Sequence, residues 1–444
     1  MVPFCGQMER CLEIEIATAR DSQIAQRVVG RVARNRADRG MDGNDMKRGS
    51  RRVVVGFVGT AVVCLLNGPL SALPANGQAG QRGTAAGAKP PMAEEVFKNV
   101  QVLRGVPVDE FMATMGFIAA SLSLNCLDCH TQDSGRDPAK YAEDTPIKQT
   151  ARKMLLMVKQ INAQNFGGVR TVTCYTCHRS DVAPRFTPSL AEQYGTPSER
   201  DPNDIDVAQQ PDPKAPTADQ ILDKYVQAIG GAQRLASLTS FTATGTYSGY
   251  DTDFAKTPAE IYTKAPGLRT TVIHPPIGEG TTVYDGHNGW IAESNSLLPL
   301  ITLTGGELDA ATIEAELAFP AKIKQYLTNW RADFPPAMVD DRNVVVVQGT
   351  APAGSKVKLF FDKDSGLLVR MVMFTNTVIG LNPREIDYSD YRDVAGVKVP
   401  FKWTAVWTDG RSEYEMTEIK PNVAIDAAKF AKPAPAPVKP VSAQ

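Results

Sequence analysis

The feature that most constrains this chain is the pentapeptide Cys-x-x-Cys-His, which occurs at 126–130 and again at 174–178. Its spacing places two thiols on one helical turn, with an imidazole directly after them. This is the attachment signature of c-type haem, in which the thiols form thioethers with the porphyrin and the imidazole binds the iron. The sequence therefore predicts two covalently bound haem c groups. The predicted attachment residues are Cys126, Cys129, Cys174 and Cys177, and the predicted proximal iron ligands are His130 and His178.

Other chemistries for these thiols fit the sequence less well. The chain has only 7 Cys and 4 His among 444 residues, and every cysteine beyond Cys64 lies in one of the two motifs. Zinc sites built from two Cys-x-x-Cys pairs usually separate the pairs by about 15–20 residues, whereas 44 residues lie between Cys129 and Cys174. A redox dithiol or two structural disulfides would not require a histidine after both pairs.

The N-terminal residues indicate export. Residues 1–45 are Arg-rich and lack apolar periodicity, and we interpret them as a non-translated or leader extension ahead of Met46. A basic segment, an apolar run over 53–66 and small residues beyond it predict a signal peptide at 46–79. The competing interpretations are lipidation of Cys64 and an uncleaved N-terminal anchor, although a spanning helix needs about 20 apolar residues. All of these place the protein in the periplasm or at the outer face of the cell membrane.

Shifts in composition divide the rest of the chain into segments. Gly/Ala/Pro-rich and Pro-rich stretches are typical of lead-ins and linkers, and they flank a block with helical patterning. The predicted segments are a flexible lead-in at 80–92, a dihaem domain at 93–190, a Pro-rich linker at 191–217, a strand-rich domain at 218–432 and a disordered tail at 433–444.

The strand-rich domain opens with an amphipathic helix that ends at Gly230-Gly231. Period-two alternation follows, with a hairpin signal at 364–366 and one helical insertion at about 307–328. The predicted strands include 343–351, 355–362, 367–375, 382–391, 397–408 and 411–420. The predicted fold class is α+β: a small all-α dihaem c-type cytochrome domain, followed by a curved antiparallel β-sheet (half-barrel) domain with helices.

Each haem iron also needs a sixth ligand. The histidines outside the motifs, His274 and His287, lie beyond the linker and are most simply turn residues, so a second imidazole is disfavoured. Methionine is the alternative, because Met/His ligation occurs in cytochromes c. The apolar spacing around 146–161 predicts that one methionine there lies near the buried face of its helix. Two i,i+3 pairs precede the motifs: Met112 with Met115, and Met154 with Met157.

The helical domain resembles the photosynthetic reaction-centre cytochrome c subunit family over about 93–190. That resemblance implies that a methionine on a helix ahead of each motif is the distal iron ligand. The matching residues are Met115 for the first haem and Met154 for the second, with Met112 and Met157 as fallbacks. The segments that carry the resemblance are 97–103 (FKNVQVL), 111–115 (FMATM), 152–157 (RKMLLM), Ile161-Asn162 and 174–179 (CYTCHR).

This chain differs from the family in two ways, and these differences limit which family properties the resemblance implies. Its well-known members carry four haems, whereas two motifs occur here. One of the four is ligated by a histidine between a methionine helix and the next motif, and the corresponding segment 165–169 contains none. The chain therefore resembles one half of the four-haem subunit, which implies electron transfer and leaves docking to a reaction centre open.

The strand-rich domain resembles the LolA/LppX-like lipoprotein-carrier fold over about 218–432. The leading helix, the long strands and the late hairpin at 362–366 carry this resemblance. It implies a curved sheet that wraps helices and has space for an acyl chain. The sequence of this domain shows no nucleophile–base pair, phosphate loop or metal-ligand spacing.

These features predict a dihaem cytochrome c that carries single electrons in the cell envelope and is not an enzyme. The expected partners are an electron donor and acceptor, such as a reaction centre or a membrane oxidoreductase, and a lipid or lipoprotein is a candidate ligand of the β domain. Nucleic acid is not expected, because 48 basic and 49 acidic side chains give a formal net charge of −1. The alternatives are an envelope lipid or lipoprotein-binding protein with an accessory haem domain, and a dihaem peroxidase-like enzyme with an open iron position.

Overall fold

A computed structural model describes residues 89–189, 215–276, 278–294 and 296–437. The chain divides into two compact units, Met1–Gln81 and Arg82–Gln444, and all described residues belong to the second. The predicted leader and signal peptide, nearly all of the predicted linker and the end of the predicted tail lie outside the described residues. In the part that is described, no helix is long and apolar enough to span a bilayer.

Helices make up the ordered elements between residues 89 and 189. Their bounds are α1 Ala93–Val96, α2 Val108–Leu122, α3 Cys126–Cys129, α4 Pro146–Asn165 and α5 Cys174–His178, with 3-10 turns at Gln132–Gly135 and Pro138–Ala142. The two long helices, α2 and α4, are the predicted methionine helices. The start of α4 follows from its sequence: Pro146 occupies the first turn, and the Thr145 hydroxyl accepts from the backbone N–H of Lys148 at 3.1 Å.

From residue 215 onward the described chain forms helices and one open antiparallel sheet of thirteen strands. The helices are α6 Ala218–Ala228, α7 Ala232–Ala236 and α8 Gly305–Glu316. The strands are β1 Ser240–Gly249, β2 Thr257–Lys264, β3 Leu268–Ile273, β4 Gly280–Tyr284, β5 Gly289–Glu293, β6 Ile301–Leu303, β7 Thr328–Val339, β8 Arg342–Thr350, β9 Lys356–Asp362, β10 Leu368–Thr377, β11 Gly380–Val394, β12 Val397–Trp407 and β13 Gly410–Pro421.

The strand order is β6-β5-β4-β3-β2-β1-β13-β12-β11-β10-β9-β8-β7. The first and last strands therefore pair in the middle of the sheet, with Phe241 opposite Pro421. The six strands predicted between 343 and 420 correspond to β8 through β13, with bounds that differ by only a few residues. The helical insertion is also present, as α8 and a 3-10 turn at Pro320–Gln325. The coarse class, helices with a large antiparallel sheet, is confirmed.

Helices α6 and α8 cover one face of the sheet and form its main core. The buried side of α6 follows from its apolar spacing, with Leu222 and Tyr225 almost fully enclosed. The Tyr225 ring packs against Phe361 of β9 at a centroid distance of 5.0 Å. This packing stabilises the sheet domain. The helical segment, residues 89–189, packs against that domain.

The turn between β10 and β11 joins the helical segment to the sheet. Ile379, in this turn, is 2% exposed and lies in one buried cluster with residues of the helical segment. Gly380 follows it, and a Cβ at that position would lie 2.7 Å from Cζ of Phe117, so the close approach requires glycine. The partners of Ile379 in this cluster are Leu103, Val106, Phe117 and Leu155.

Polar contacts support the same junction. The buried carboxylate of Asp109, in the first turn of α2, accepts hydrogen bonds from the backbone N–H and the hydroxyl of Thr304, the latter at 2.8 Å. The Arg170 guanidinium donates to the carbonyl of Thr377 and to Oδ1 of Asn376, the latter at 3.0 Å. The helical segment thus shares both apolar and polar contacts with the sheet.

Candidate haem attachment sites

The first motif begins with a single helical turn, α3. Asn125 and Asp128 cap the N-terminus of this turn. Oδ1 of Asn125 accepts from the backbone N–H of Leu127 at 2.9 Å, and the Asp128 carboxylate accepts from the backbone N–H of Asn125 at 2.8 Å. Cys126 is exposed, Cys129 is half-buried, and both thiols are free. The turn therefore presents two accessible thiols from one side of a short helix, as attachment to a porphyrin edge requires.

His130 follows this turn, and the main chain orients its ring. Nδ1 lies 3.1 Å from the carbonyl oxygen of Tyr141, whose ring packs at a centroid distance of 4.8 Å. A carbonyl can only accept, so the proton is on Nδ1, and Nε2 keeps the lone pair that an iron ligand needs. Burial, assisted by the nearby Lys148 cation, lowers the pKa of His130 and favours the neutral ring.

The second motif repeats this construction with a different cap. The Thr173 hydroxyl accepts from the backbone N–H of Thr176 at 3.3 Å, and the Thr176 hydroxyl accepts from the backbone N–H of Thr173 at 3.0 Å. Cys174 is half-buried, Cys177 is exposed, and both thiols are free. Each motif therefore offers one exposed and one half-buried thiol, although their order along the chain is reversed between the two motifs.

His178 ends the second turn, and its ring is oriented in the same way as that of His130. Arg179 adopts a left-handed conformation with φ of 51°, which turns the chain back. The carbonyl of Asp181 then lies 3.0 Å from Nδ1 of His178. As at the first motif, Nε2 remains the nitrogen that can bind iron.

Asn162 connects the second motif to α4. Its buried Oδ1 accepts from the backbone N–H groups of Thr171 and Val172 at 3.1 and 2.9 Å, and its Nδ2 donates to the carbonyl of Val172 at 2.7 Å. Sequence reasoning did not assign this role, although an asparagine on an otherwise apolar helix face could have indicated it. The carbonyls of Tyr141 and Asp181 carry no sequence signal, because any residue supplies one.

The methionines of the first pair lie on α2. Met112 and Met115 are both half-buried, and Met115 packs against the buried cluster that contains Phe117 and Ile379. The structure thus places this pair on a helix fixed against the sheet.

The methionines of the second pair are more exposed than expected. Met154 and Met157 are 40% and 44% exposed, whereas the buried positions of α4 are Leu155, Val158 and Asn162. The expectation that one methionine lies near the buried face is therefore wrong. The reason is that the buried stripe of α4 follows Leu155, Val158 and Asn162, and both methionines lie to one side of that stripe.

The residues present fit a covalently bound haem at each motif. Each motif has two free thiols and an imidazole whose Nδ1 faces a backbone carbonyl, and the helix ahead of each motif carries methionines. These are the donor types of a c-type haem with Met/His ligation. Apolar side chains that would suit a porphyrin face are exposed on α4, in the second motif and beyond it. They are Ile147, Met154, Leu156, Met157, Phe166, Val169, Tyr175, Val182 and Phe186. Among the described residues, no group of three or more His, Cys, Asp or Glu side chains could hold a metal ion by itself.

The two remaining histidines lie at turns, as expected. His274 follows β3, with Nε2 and Nδ1 each 3.4 Å from a carboxylate oxygen, those of Glu260 and Glu279. The turn at His287 is closed by the Asp285 carboxylate, which accepts from the backbone N–H of His287 at 2.8 Å.

The sheet domain also contains a partly open cavity of about 130 Å³ between the sheet and its helices. Its lining is mainly apolar, for example Phe241 and Trp403, and also includes Arg269 and Glu314. Small-molecule sites usually occupy about 300–1,000 Å³, so this space is below the usual range for a bound ligand.

Comparisons with known proteins agree with the resemblance seen in the N-terminal half. Residues 50–211 match the family model for the photosynthetic reaction centre cytochrome C subunit. Photosynthetic reaction center cytochrome c subunits from Thermochromatium tepidum and Rubrivivax gelatinosus are 34% and 37% identical over 125 and 99 residues. These alignments cover 27% and 21% of this chain. The chain spans about a quarter of the length of these relatives, 27% and 25%.

Solved structures that are similar to part of this chain include a LolA superfamily protein and a DUF1329 family protein. A LolA superfamily protein from Nitrosomonas europaea is 16% identical with a TM-score of 0.34, covering 49% of this chain and 99% of that protein. A DUF1329 family protein from Desulfovibrio piger is 13% identical with a TM-score of 0.35, covering 48% of this chain and 97% of the other.

Proposed function

We propose that this protein is a dihaem c-type cytochrome that carries single electrons in the periplasm or at the outer face of the cell membrane. The observation that carries this proposal is the matched geometry of the two histidines. In each motif a backbone carbonyl holds Nδ1, at 3.1 Å for His130 and 3.0 Å for His178, directly after two free thiols. An ordinary surface histidine has no need of this constraint, whereas a proximal iron ligand does.

In this proposal each haem, when bound, supplies a one-electron iron couple. Cys126, Cys129, Cys174 and Cys177 would attach the two porphyrins, and the iron ligands would be His130 with Met115 at the first haem and His178 with Met154 at the second. Thioether ligation raises the reduction potential and leaves no open iron position for a substrate. Carrying electrons is therefore a better fit than peroxidase chemistry.

The proposed partners are a redox donor and acceptor, with a reaction centre or a membrane oxidoreductase as candidates, because the matched relatives are reaction center cytochrome c subunits. The second candidate function is binding of a lipid or lipoprotein in the sheet domain. The apolar cavity favours it, but its volume of about 130 Å³ is small for an acyl chain unless the domain opens.

The experiment is haem quantification as the pyridine haemochrome, combined with a redox titration followed by absorption, on the exported protein. We expect two haems per chain, both reducible in one-electron steps and neither binding CO. A variant with Cys126→Ser and Cys129→Ser is the control, and it should contain one haem. Two haems in that variant, or none in the native protein, would contradict the proposal. A co-purified acyl lipid together with lipid transfer that survives haem loss would favour the second candidate.

A further inference from the structure

The turn between β12 and β13 reaches the first haem site from the sheet. Asp409, in this turn, packs against Gly116, the neighbour of Met115 on α2: a Cβ on Gly116 would lie 2.8 Å from Oδ2 of Asp409. The Trp407 side chain donates a hydrogen bond to the Asp409 carboxylate and so fixes its position. Glycine at 116 is what lets the carboxylate come this close to the methionine helix.

The same carboxylate also acts on the attachment side of the site. Its charge lies close enough to the Cys126 thiol to raise the pKa of that thiol, in addition to the larger effect of burial. Asp409 is therefore near both the helix that carries the proposed distal ligand and the first attachment thiol. Partial desolvation raises the pKa of Asp409 itself, while the hydrogen bond from Trp407 favours the charged form.

We propose that Asp409 is a positioning residue supplied by the sheet domain, which lowers the reduction potential of the first haem through its negative charge. The inference rests on the proposed function. A fixed negative charge stabilises the oxidised iron, which carries one more positive charge than the reduced iron, and this effect is stronger where water is partly excluded. The sheet thereby gives unequal surroundings to two motifs with the same attachment pattern, so that the two haems differ in potential.

The control for this proposal is Asp390, a carboxylate further along the strands, away from the turn that carries Asp409. Arg384 pairs with Trp407, whereas Asp390 lies six residues further along β11, about 20 Å away at the usual rise per residue. Asp390 forms an exposed ion pair with Arg392 at 2.5 Å. Removing the charge of Asp390 therefore shows how far the loss of one negative charge far from the first site changes the haem reduction potentials.

The test is a potentiometric titration of the full protein and of Asp409→Asn, with Asp390→Asn as the matched control. To assign the potentials, the titration is repeated on a protein with Cys174→Ser and Cys177→Ser. This protein should hold only the first haem. We expect Asp409→Asn to shift the first haem to a more positive potential and to leave the second unchanged, and Asp390→Asn to shift neither. Asp409→Glu, which keeps the charge, should restore most of the native value.

Several outcomes separate this inference from the proposed function. Unchanged potentials in an Asp409→Asn protein that holds two haems overturn the inference alone, and so does an equal shift of both haems. If Asp409→Asn loads poorly, Asp409→Ser gives the same test with a smaller side chain. Loss of the first haem in both variants would mean that Asp409 serves assembly, which also overturns it. Absence of haem from the native protein would instead overturn the proposed function.

Discussion

The two methionine helices share one sequence pattern but lie in different surroundings. Helix α2, which carries Met115, is held by the Asp109–Thr304 hydrogen bonds and packs against the sheet near Gly380. Helix α4 buries a narrow stripe and leaves its methionines about two-fifths exposed. An i,i+3 methionine pair ahead of a haem motif therefore indicates a candidate iron ligand. The tertiary contacts of its helix determine how exposed the methionine side chains are.

The largest expected effect comes from removing one pair of thiols. Cys126→Ser with Cys129→Ser should lose the first haem and keep the second, and Cys174→Ser with Cys177→Ser should do the reverse. Haem content per chain measures both. Loss of both haems in either variant would contradict this prediction, because it would show that the two motifs load as one unit.

Removing a distal ligand should have the next largest effect. Met115→Ala and Met154→Ala should each lower the reduction potential of one haem and let CO bind there, because an imidazole-only iron has an open position. Redox titration and CO difference spectra measure this. Met112→Ala and Met157→Ala are the controls and should leave both properties unchanged. If Met157→Ala opens the second haem instead, the ligand on the exposed helix is Met157.

The junction at the β10–β11 turn can be tested through stability. Ile379→Ala should lower the free energy of unfolding by about 2–5 kcal/mol, because it leaves a cavity in the core shared by the helices and the sheet. Leu381→Ala is the control, since that side chain is exposed, and it should cost far less. Chemical denaturation followed by haem absorption and by far-UV circular dichroism measures both. If the midpoint denaturant concentration decreased for only one of the two signals, the helices and the sheet would not share a cooperative core.

The smallest expected effect is a pH dependence from Asp109. Burial raises the pKa of this carboxyl, although the hydrogen bonds from Thr304 oppose the rise. A raised pKa in the folded state means that the contribution to stability is complete below the ordinary carboxyl pKa and decreases as the pH rises through the raised value. Asp109→Asn should remove this decrease and keep an acceptor for Thr304. Denaturation midpoints across the acidic range measure it, and an unchanged pH profile in the variant would exclude Asp109 as the source.

Local chemistry is what the sequence could predict. The Cys-x-x-Cys-His spacing depends on one helical turn, so the proposed attachment thiols and proximal histidines follow from neighbouring residues. The structure gives each motif a capped turn and each histidine a carbonyl partner. The bounds of strands β8 to β13 could also be predicted to within a few residues. Alternation and turn residues, such as those at 362–366, are local signals.

Contacts between residues far apart in the chain could not be predicted from the sequence and appear only in the folded structure. Ile379 looks like an ordinary turn residue in sequence, yet it completes a core with Phe117 and Leu155. Asp409 looks like a solvated turn carboxylate, yet it lies beside Gly116. The physical reason is that period and spacing report which side of an element is apolar, but not which distant surface covers it. Residue types and their spacing were enough to predict which side chains could hold two haems, whereas the packing of the sheet against α2 sets the surroundings of the proposed first site.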